Sequence, residues 1–306
     1  MNLALKRYRM VFRLYRSRKA VRSVMLTLLV LLAASSAPGA SVTPQVLVDA
    51  ELAFANRTAE AGIREGFLAF LADDSVVFRP GPVNGREAYA KIKPSAMLLA
   101  WYPVFADISA AGDLGYTTGP YEVFRNKDEK AALAFGHYVS LWRRQDDGNF
   151  KVVLDAGVTH GAHPSHQPLY KAPGAGTSPP GRGLVRSAAE AAIGALEKQL
   201  SETAAEHGLA AVLESRLSGS VRAYREGEYP ALGRKDALEL ILKTGGRWSW
   251  VPARVLVSDS GDLGYAYGVA ERKTGSPKKF AFLRIWRQPP SGAWKVVLDL
   301  MTAIPD

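Results

Sequence analysis

The chain has 306 residues, 47% of them hydrophobic and 22% charged, a balance that excludes a disordered or fibrous protein. Its net charge of +10 points at first to nucleic acid or an anionic membrane. However, residues 1–39 hold eight basic residues and no acid, so removing them leaves +2 and no global electrostatic reason to bind a polyanion. Cysteine is absent, which excludes disulfides, zinc–thiolate sites, thiol catalysis and a lipoprotein anchor.

The basic run of residues 1–22 is followed by Val24 to Ala34, a largely apolar stretch, and then by Ser35-Ser36-Ala37-Pro38-Gly39-Ala40. Charged, apolar and small-residue segments in that order are the layout of a secretory signal. The apolar stretch reaches only about 16 Å as a helix, against roughly 30 Å of bilayer hydrocarbon, so cleavage after Gly39 or Ala40 is expected rather than anchoring. The mature protein is then exported, periplasmic or secreted, and does not contact the membrane.

Residues 45–61 and 63–72 carry apolar side chains at helical spacing, with Gly62 as the break. A short strand is expected around Val76-Val77-Phe78, then a turn at Arg79-Pro80-Gly81-Pro82. Asn84 is placed to cap a helix over residues 86–92 that Pro94 ends. From Val104 the pattern becomes that of strands: Val104–Ser109, Leu114–Phe124, Leu133–Arg144 and Phe150–Val158, separated by turn-forming polar segments. Residues 159–187 are dense in Pro, Gly, Ser and His and read as a linker with a reach of roughly 30 Å.

Residues 188–306 then repeat residues 40–158. Gly112-Asp113-Leu114-Gly115-Tyr116 recurs as Gly261-Asp262-Leu263-Gly264-Tyr265. Trp142-Arg143 recurs as Trp286-Arg287, and Lys151 to Asp155 as Lys295 to Asp299. The matches are collinear, with offsets between 144 and 149, and the second copy is five residues shorter within one hairpin. Trp101 falls opposite Trp250. Helices first and a strand meander afterwards predict an α+β class: two tandem domains, each with its N-terminal helices packed on one face of an antiparallel sheet.

That order, the Gly-Asp-Leu-Gly-Tyr strand start and the ending from Tyr138 to Asp155 resemble the polyketide-cyclase-like and calcium/calmodulin-kinase-association-like branch of the nuclear transport factor 2-like superfamily. The resemblance covers roughly residues 45–158 and 188–303. It implies two tandem cone-shaped domains, each a curved antiparallel sheet packed on its N-terminal helices, with a pocket at the open end. Relatives use that pocket for isomerisation, cyclisation, dehydration or plain binding, and some dimerise through the outer face of the sheet. The fold does not choose among these.

Several residues are candidates for such a pocket. Alternation puts His137 on the strand face shared by Val139 and Leu141, expected to be the helix-packed side, where an imidazole acts as a general base. Its counterpart in the second copy is Ala281. Asp155 and Asp299 end the last strand of each copy. In ketosteroid-isomerase-like members, cavity carboxylates act as base or as hydrogen-bond donor. Arg79 and Arg225 stand near the expected mouths, suited to an anionic group or to pairing with those aspartates. Trp101, Trp250, Tyr116, Tyr121, Tyr265 and Tyr267 are candidate pocket walls, with burial in a core as the alternative. His160, His163 and His166 are spaced by three, but Gly161 and Pro164 deny them a helix, and no metal or cofactor is expected.

Three functions remain open at this level. In the first, the pockets bind a small apolar or amphipathic molecule without chemistry, and the two copies form an intrachain pseudo-dimer. In the second, the first copy is an isomerase-, cyclase- or dehydratase-type enzyme using His137 or Asp155. The third is an interaction scaffold whose cones are filled.

Overall fold

The computed structural model describes residues 42–162, 170, 185–273, 275, 278–289 and 292–305. The expected signal segment, His163 and His166 lie outside them, as does most of the expected linker.

The first unit opens with α1 (Gln45–Ala61) and α2 (Ile63–Phe70), broken at Gly62 as its φ of 95° requires. It continues through β1 (Leu71–Phe78), β2 (Pro82–Asn84) and α3 (Gly85–Ala90). The Asn84 side chain accepts from the Glu87 N–H at 2.9 Å, so the expected cap is present. Next come β3 (Leu98–Trp101), β4 (Phe105–Ile108), β5 (Leu114–Phe124), β6 (Ala134–Arg144) and β7 (Phe150–His160). β3 is a strand that the sequence pattern did not suggest; Pro103 separates it from β4.

The second unit repeats this order: α4 (Arg186–His207), α5 (Leu209–Leu213), β8 (Leu217–Arg225), β9 (Ala231–Leu232), α6 (Arg234–Thr244), β10 (Trp248–Val257), β11 (Leu263–Arg272), β12 (Lys279–Arg287) and β13 (Lys295–Ile304). Here β10 is continuous, with an irregularity at Pro252, the counterpart of Pro103. The class is α+β with two separate curved sheets. Each sheet is antiparallel except where its first strand runs parallel to its last, β1 beside β7 and β8 beside β13.

One face of each sheet packs on that unit's helices. In the first unit Phe54, Phe67, Trp101 and Trp142 form the centre of this core; in the second, Ile193, Leu213, Trp248 and Trp286 do so. The other faces pack against each other. Tyr116, Val139, Leu141 and Leu154 from the first sheet meet Tyr224, Leu263, Leu283 and Ile285 from the second in one buried cluster. Both faces of the central strands are therefore out of water, which is why β5, β6, β11 and β12 read as long buried runs.

The Gly-Asp-Leu-Gly-Tyr motif explains how each sheet meets both of its neighbours. Gly112 and Gly261 take φ of 66° and 67°, a turn conformation that favours glycine. A Cβ on Gly115 would lie within 2.4 Å of Leu47, and one on Gly264 within 2.7 Å of Ile193, so glycine lets α1 and α4 close onto the strands. The aspartates reach across the interface. Asp262 accepts from the Ala110 N–H at 3.2 Å, and Asp113 accepts from the Asp259 N–H at 2.8 Å. The same contact is made twice with the roles exchanged, the reciprocity of a two-fold arrangement.

Candidate functional site

Between the helices and the sheet of the first unit lies a cavity of about 450 Å³, open at one side. Phe54, Phe67, Trp101 and Val77 supply apolar wall, and Tyr121, Tyr138 and Asp155 stand on the sheet side. Arg79 and Tyr89 lie at its edge: the Arg79 Nη2 donates to the Tyr89 hydroxyl at 2.5 Å, and the guanidinium stacks over that ring at 4.6 Å. Tyr89 is itself stacked on Phe67 with ring centroids 4.0 Å apart, so the rim is continuous with the apolar wall.

Asp155 is the polar centre. It sits in the middle of β7, as Asp299 does in β13, rather than at the strand end expected from the sequence, and opposite Ser140 of β6, whose hydroxyl donates to its Oδ2 at 2.9 Å. Burial pushes its carboxyl up to about 7; the Ser140 hydrogen bond and the Arg79 charge oppose the rise, and the nearby Glu51 adds to it. No arginine or lysine lies within 4.0 Å of this carboxyl among the described residues, so the expected Arg79–Asp155 ion pair does not form.

Glu51, from the buried face of α1, is held just behind Asp155. Its Oε1 accepts from the Trp101 indole N–H at 2.6 Å, and its Oε2 accepts from the Trp142 indole at 2.9 Å and the Thr117 hydroxyl at 2.5 Å. Burial raises its pKa against those three hydrogen bonds. A carboxyl in the centre of an apolar helix stripe is thus tied to two tryptophans, one of which, Trp101, lines the pocket.

The second unit keeps the carboxyls and changes their surroundings. Glu197 of α4 accepts from the Trp250 and Trp286 indoles, each at 2.8 Å, as Glu51 does from Trp101 and Trp142. Opposite Asp299, however, stands Arg284 where the first unit has Ser140. Its guanidinium donates to Glu197 at 2.5 Å and to Asp299 at 3.0 Å, and lies 5.1 Å from the Trp250 ring centroid. Arg225 adds a second pair to Asp299 at 2.6 Å. Burial alone would raise the Asp299 pKa, but Arg225 and Arg284 outweigh it and hold the carboxyl below the usual value. Opposite Phe282, moreover, is the buried Met301, where the first unit has Gly157 opposite Tyr138. Around Asp299 the second unit thus places Arg284 and Met301 where the first has Ser140 and Gly157 beside Asp155.

Of the sequence-derived candidates, the structure gathers Arg79, Trp101, Tyr121 and Asp155 at one cavity. Arg225, Asp299 and Trp250 belong to the packed interior of the second unit. Tyr116, Tyr265 and Tyr267 are buried between the two sheets and line neither unit's helix-side space. His137 does share a face with Val139 and Leu141, but that face packs on the second unit, correcting the expectation that it is the helix side. Its Nδ1 lies 2.8 Å from His160 Nε2, and its ring stands 5.2 Å from that of Tyr229. Glu51, Tyr89, Tyr138 and Ser140 were not singled out. The signal for Glu51 was available, because a glutamate recurs at the same repeat position among the apolar residues of α4.

No protein-family model matches the chain, and no curated protein does. Solved structures similar to it include a ketosteroid isomerase-like protein from Erwinia carotovora atroseptica, at 17% identity and TM-score 0.32, covering 38% of this chain and 98% of the other. A nuclear transport factor 2-like protein of unknown function from Pseudomonas putida matches at 15% identity and TM-score 0.34, covering 40% and 92%. Nuclear transport factor 2 from Cryptosporidium parvum matches at 15% identity and TM-score 0.31, covering 38% and 94%.

Proposed function

We propose that this is an exported protein that binds one small, largely apolar molecule with a polar end in the cavity of its first unit, and that the second unit serves as a structural partner. The observation that carries this reading is the contrast between the repeats. One helix-side space is open, with an acid on its wall and no arginine or lysine within 4.0 Å of that acid among the described residues; the other holds the same acid neutralised by two arginines. A cavity of about 450 Å³ suits a compact ligand. The sheet-to-sheet contact makes the two units an intrachain pseudo-dimer. Export is supported by the charged, apolar and small-residue layout of residues 1–40.

Native mass spectrometry of the exported chain tests the binding reading. A retained mass, lost on mild unfolding and absent from Ser140→Arg, supports it. A bare chain that stays bare after exposure to host extract would count against a carrier.

A second reading rests on one specific observation, an aspartic acid held to about 7 on an apolar wall. Such a carboxyl is suited to take a proton from a carbon acid at neutral pH, with Arg79 or a tyrosine near the developing negative charge. Asp155→Asn should then abolish solvent exchange of the substrate's acidic hydrogen while ligand retention persists. Exchange that survives in Asp155→Asn removes this reading.

A further inference from the structure

The two units answer one question differently: what sits between a buried glutamate, an aspartate of the last strand and a tryptophan. In the second unit the occupant is the Arg284 guanidinium, held by Glu197 and Asp299 and stacked on Trp250 and Phe282 at 5.1 and 5.5 Å. The first unit presents the corresponding groups, Glu51, Asp155, Trp101 and Tyr138, by the same register, since Trp101 pairs with Tyr121 as Trp250 pairs with Ala270. It lacks only the cation. Ser140 replaces the arginine, Arg79 is turned towards Tyr89, and Gly157 leaves space where Met301 closes the second unit.

The geometry points to a small organic cation, an amine or guanidinium on an apolar body, as the ligand of the first unit: its charge pairs with Asp155 over Trp101 and Tyr138, and its body lies against Phe54 and Phe67. This rests on the ligand-binding reading above and adds the chemical class. Two interactions support the charge. A carboxylate facing a partly dry cavity gains more from a cation than one in water, and aromatic faces attract a desolvated cation. Glu51 contributes field from behind rather than contact, because its oxygens are taken by Trp101, Trp142 and Thr117. Arg79 lies at the exposed rim, where solvent weakens its repulsion of a charge seated at Asp155.

Titration calorimetry at pH 8 with three probes of one shape tests the assignment: phenethylguanidinium, its neutral isostere phenethylurea, and the anion 3-phenylpropionate. The guanidinium should bind at least tenfold more tightly than the other two. Asp155→Asn should erase that preference, so that the guanidinium binds no more tightly than the urea. Ser140→Arg, which installs the arginine of the second unit, should block the guanidinium; near-UV circular dichroism of each variant reports whether the core is intact. Equal binding of guanidinium and urea, a preference for the anion, or a cation preference that survives Asp155→Asn would overturn the proposal and leave the pocket as a binding site of another class. If none of the three binds and native mass spectrometry also finds no retained mass, the ligand-binding reading falls with it.

Discussion

Ser140 and Arg284 occupy the same strand position in the two units, each directly opposite the aspartate of the last strand, and with Gly157 against Met301 this difference separates an open acidic cavity from a closed ion network. The serine hydroxyl satisfies one oxygen of Asp155 and leaves its charge unbalanced. The arginine answers both Glu197 and Asp299 and is 1% exposed. The duplicated framework of indole-bound glutamate and last-strand aspartate is common to both, so the divergence lies in what fills it.

A buried ion network is weak as a source of stability when intact, yet breaking it is expensive, because the charges left behind have no water. Arg284→Met strands Glu197 beside two indoles and leaves Asp299 with Arg225 alone. Urea unfolding should show a loss of about 3–5 kcal/mol for this variant. A loss under about 1 kcal/mol would mean that the carboxyls take up protons and the network contributes little.

The pH dependence of stability follows from Asp155. Its carboxyl is raised to about 7 in the folded chain, with Glu51 behind it, Ser140 beside it and Arg79 at the rim as the groups facing it. In the unfolded chain it ionises near 4, so between those values the folded state holds a proton that the unfolded state has released. Stability from this group is therefore full below about pH 4 and falls as pH rises towards about 7. Thermal unfolding across that window should show the decline, and Asp155→Asn should flatten it and melt higher at pH 8. An unchanged slope in Asp155→Asn would place the titration elsewhere.

Much of this architecture was legible in the sequence, for identifiable reasons. The collinear repeat, Gly62 as a helix break, Asn84 as a cap and the strand order are local signals that tertiary packing did not override. The face of His137 was not legible. Alternation assigns a side chain to one of two faces, but it cannot say which face meets helices when both are buried. Tyr116, Tyr265 and Tyr267 went astray for the same reason: large apolar residues on the outer face bury the second sheet rather than a ligand. The cavity itself was readable only as a difference between the repeats, in Ser140 against Arg284 and Gly157 against Met301. Comparing what fails to repeat is as informative as finding what does.

The inter-sheet packing predicts a cooperative pair rather than two tethered bodies. Ile285 is fully buried between the sheets, among Leu141, Leu283 and Leu300. Ile285→Asp puts an unpaired carboxylate there, with an expected loss of about 3 kcal/mol or more at neutral pH. Small-angle scattering should show an increased radius of gyration as the faces separate. A variant that stays compact and as stable as the parent would show that the buried cluster is not what holds the units together.

Arg79 and Arg225 provide the sharpest internal control, because they stand at one repeat position with opposite burdens. Arg225 is buried, donating to Asp299 at 2.6 Å and to the Thr244 hydroxyl at 3.0 Å, so its removal leaves a carboxylate and a hydroxyl short of partners. Arg225→Met should therefore lose about 3 kcal/mol or more in urea unfolding. Arg79 is exposed, and its contact is to the Tyr89 hydroxyl and ring. Arg79→Met should change stability by less than about 1 kcal/mol while altering ligand affinity, since a positive charge leaves the rim of the cavity. With that repulsion gone, a cationic probe should bind more tightly and an anionic one more weakly. If Arg79→Met is instead as destabilising as Arg225→Met, the two arginines share a structural role and the rim is part of the scaffold.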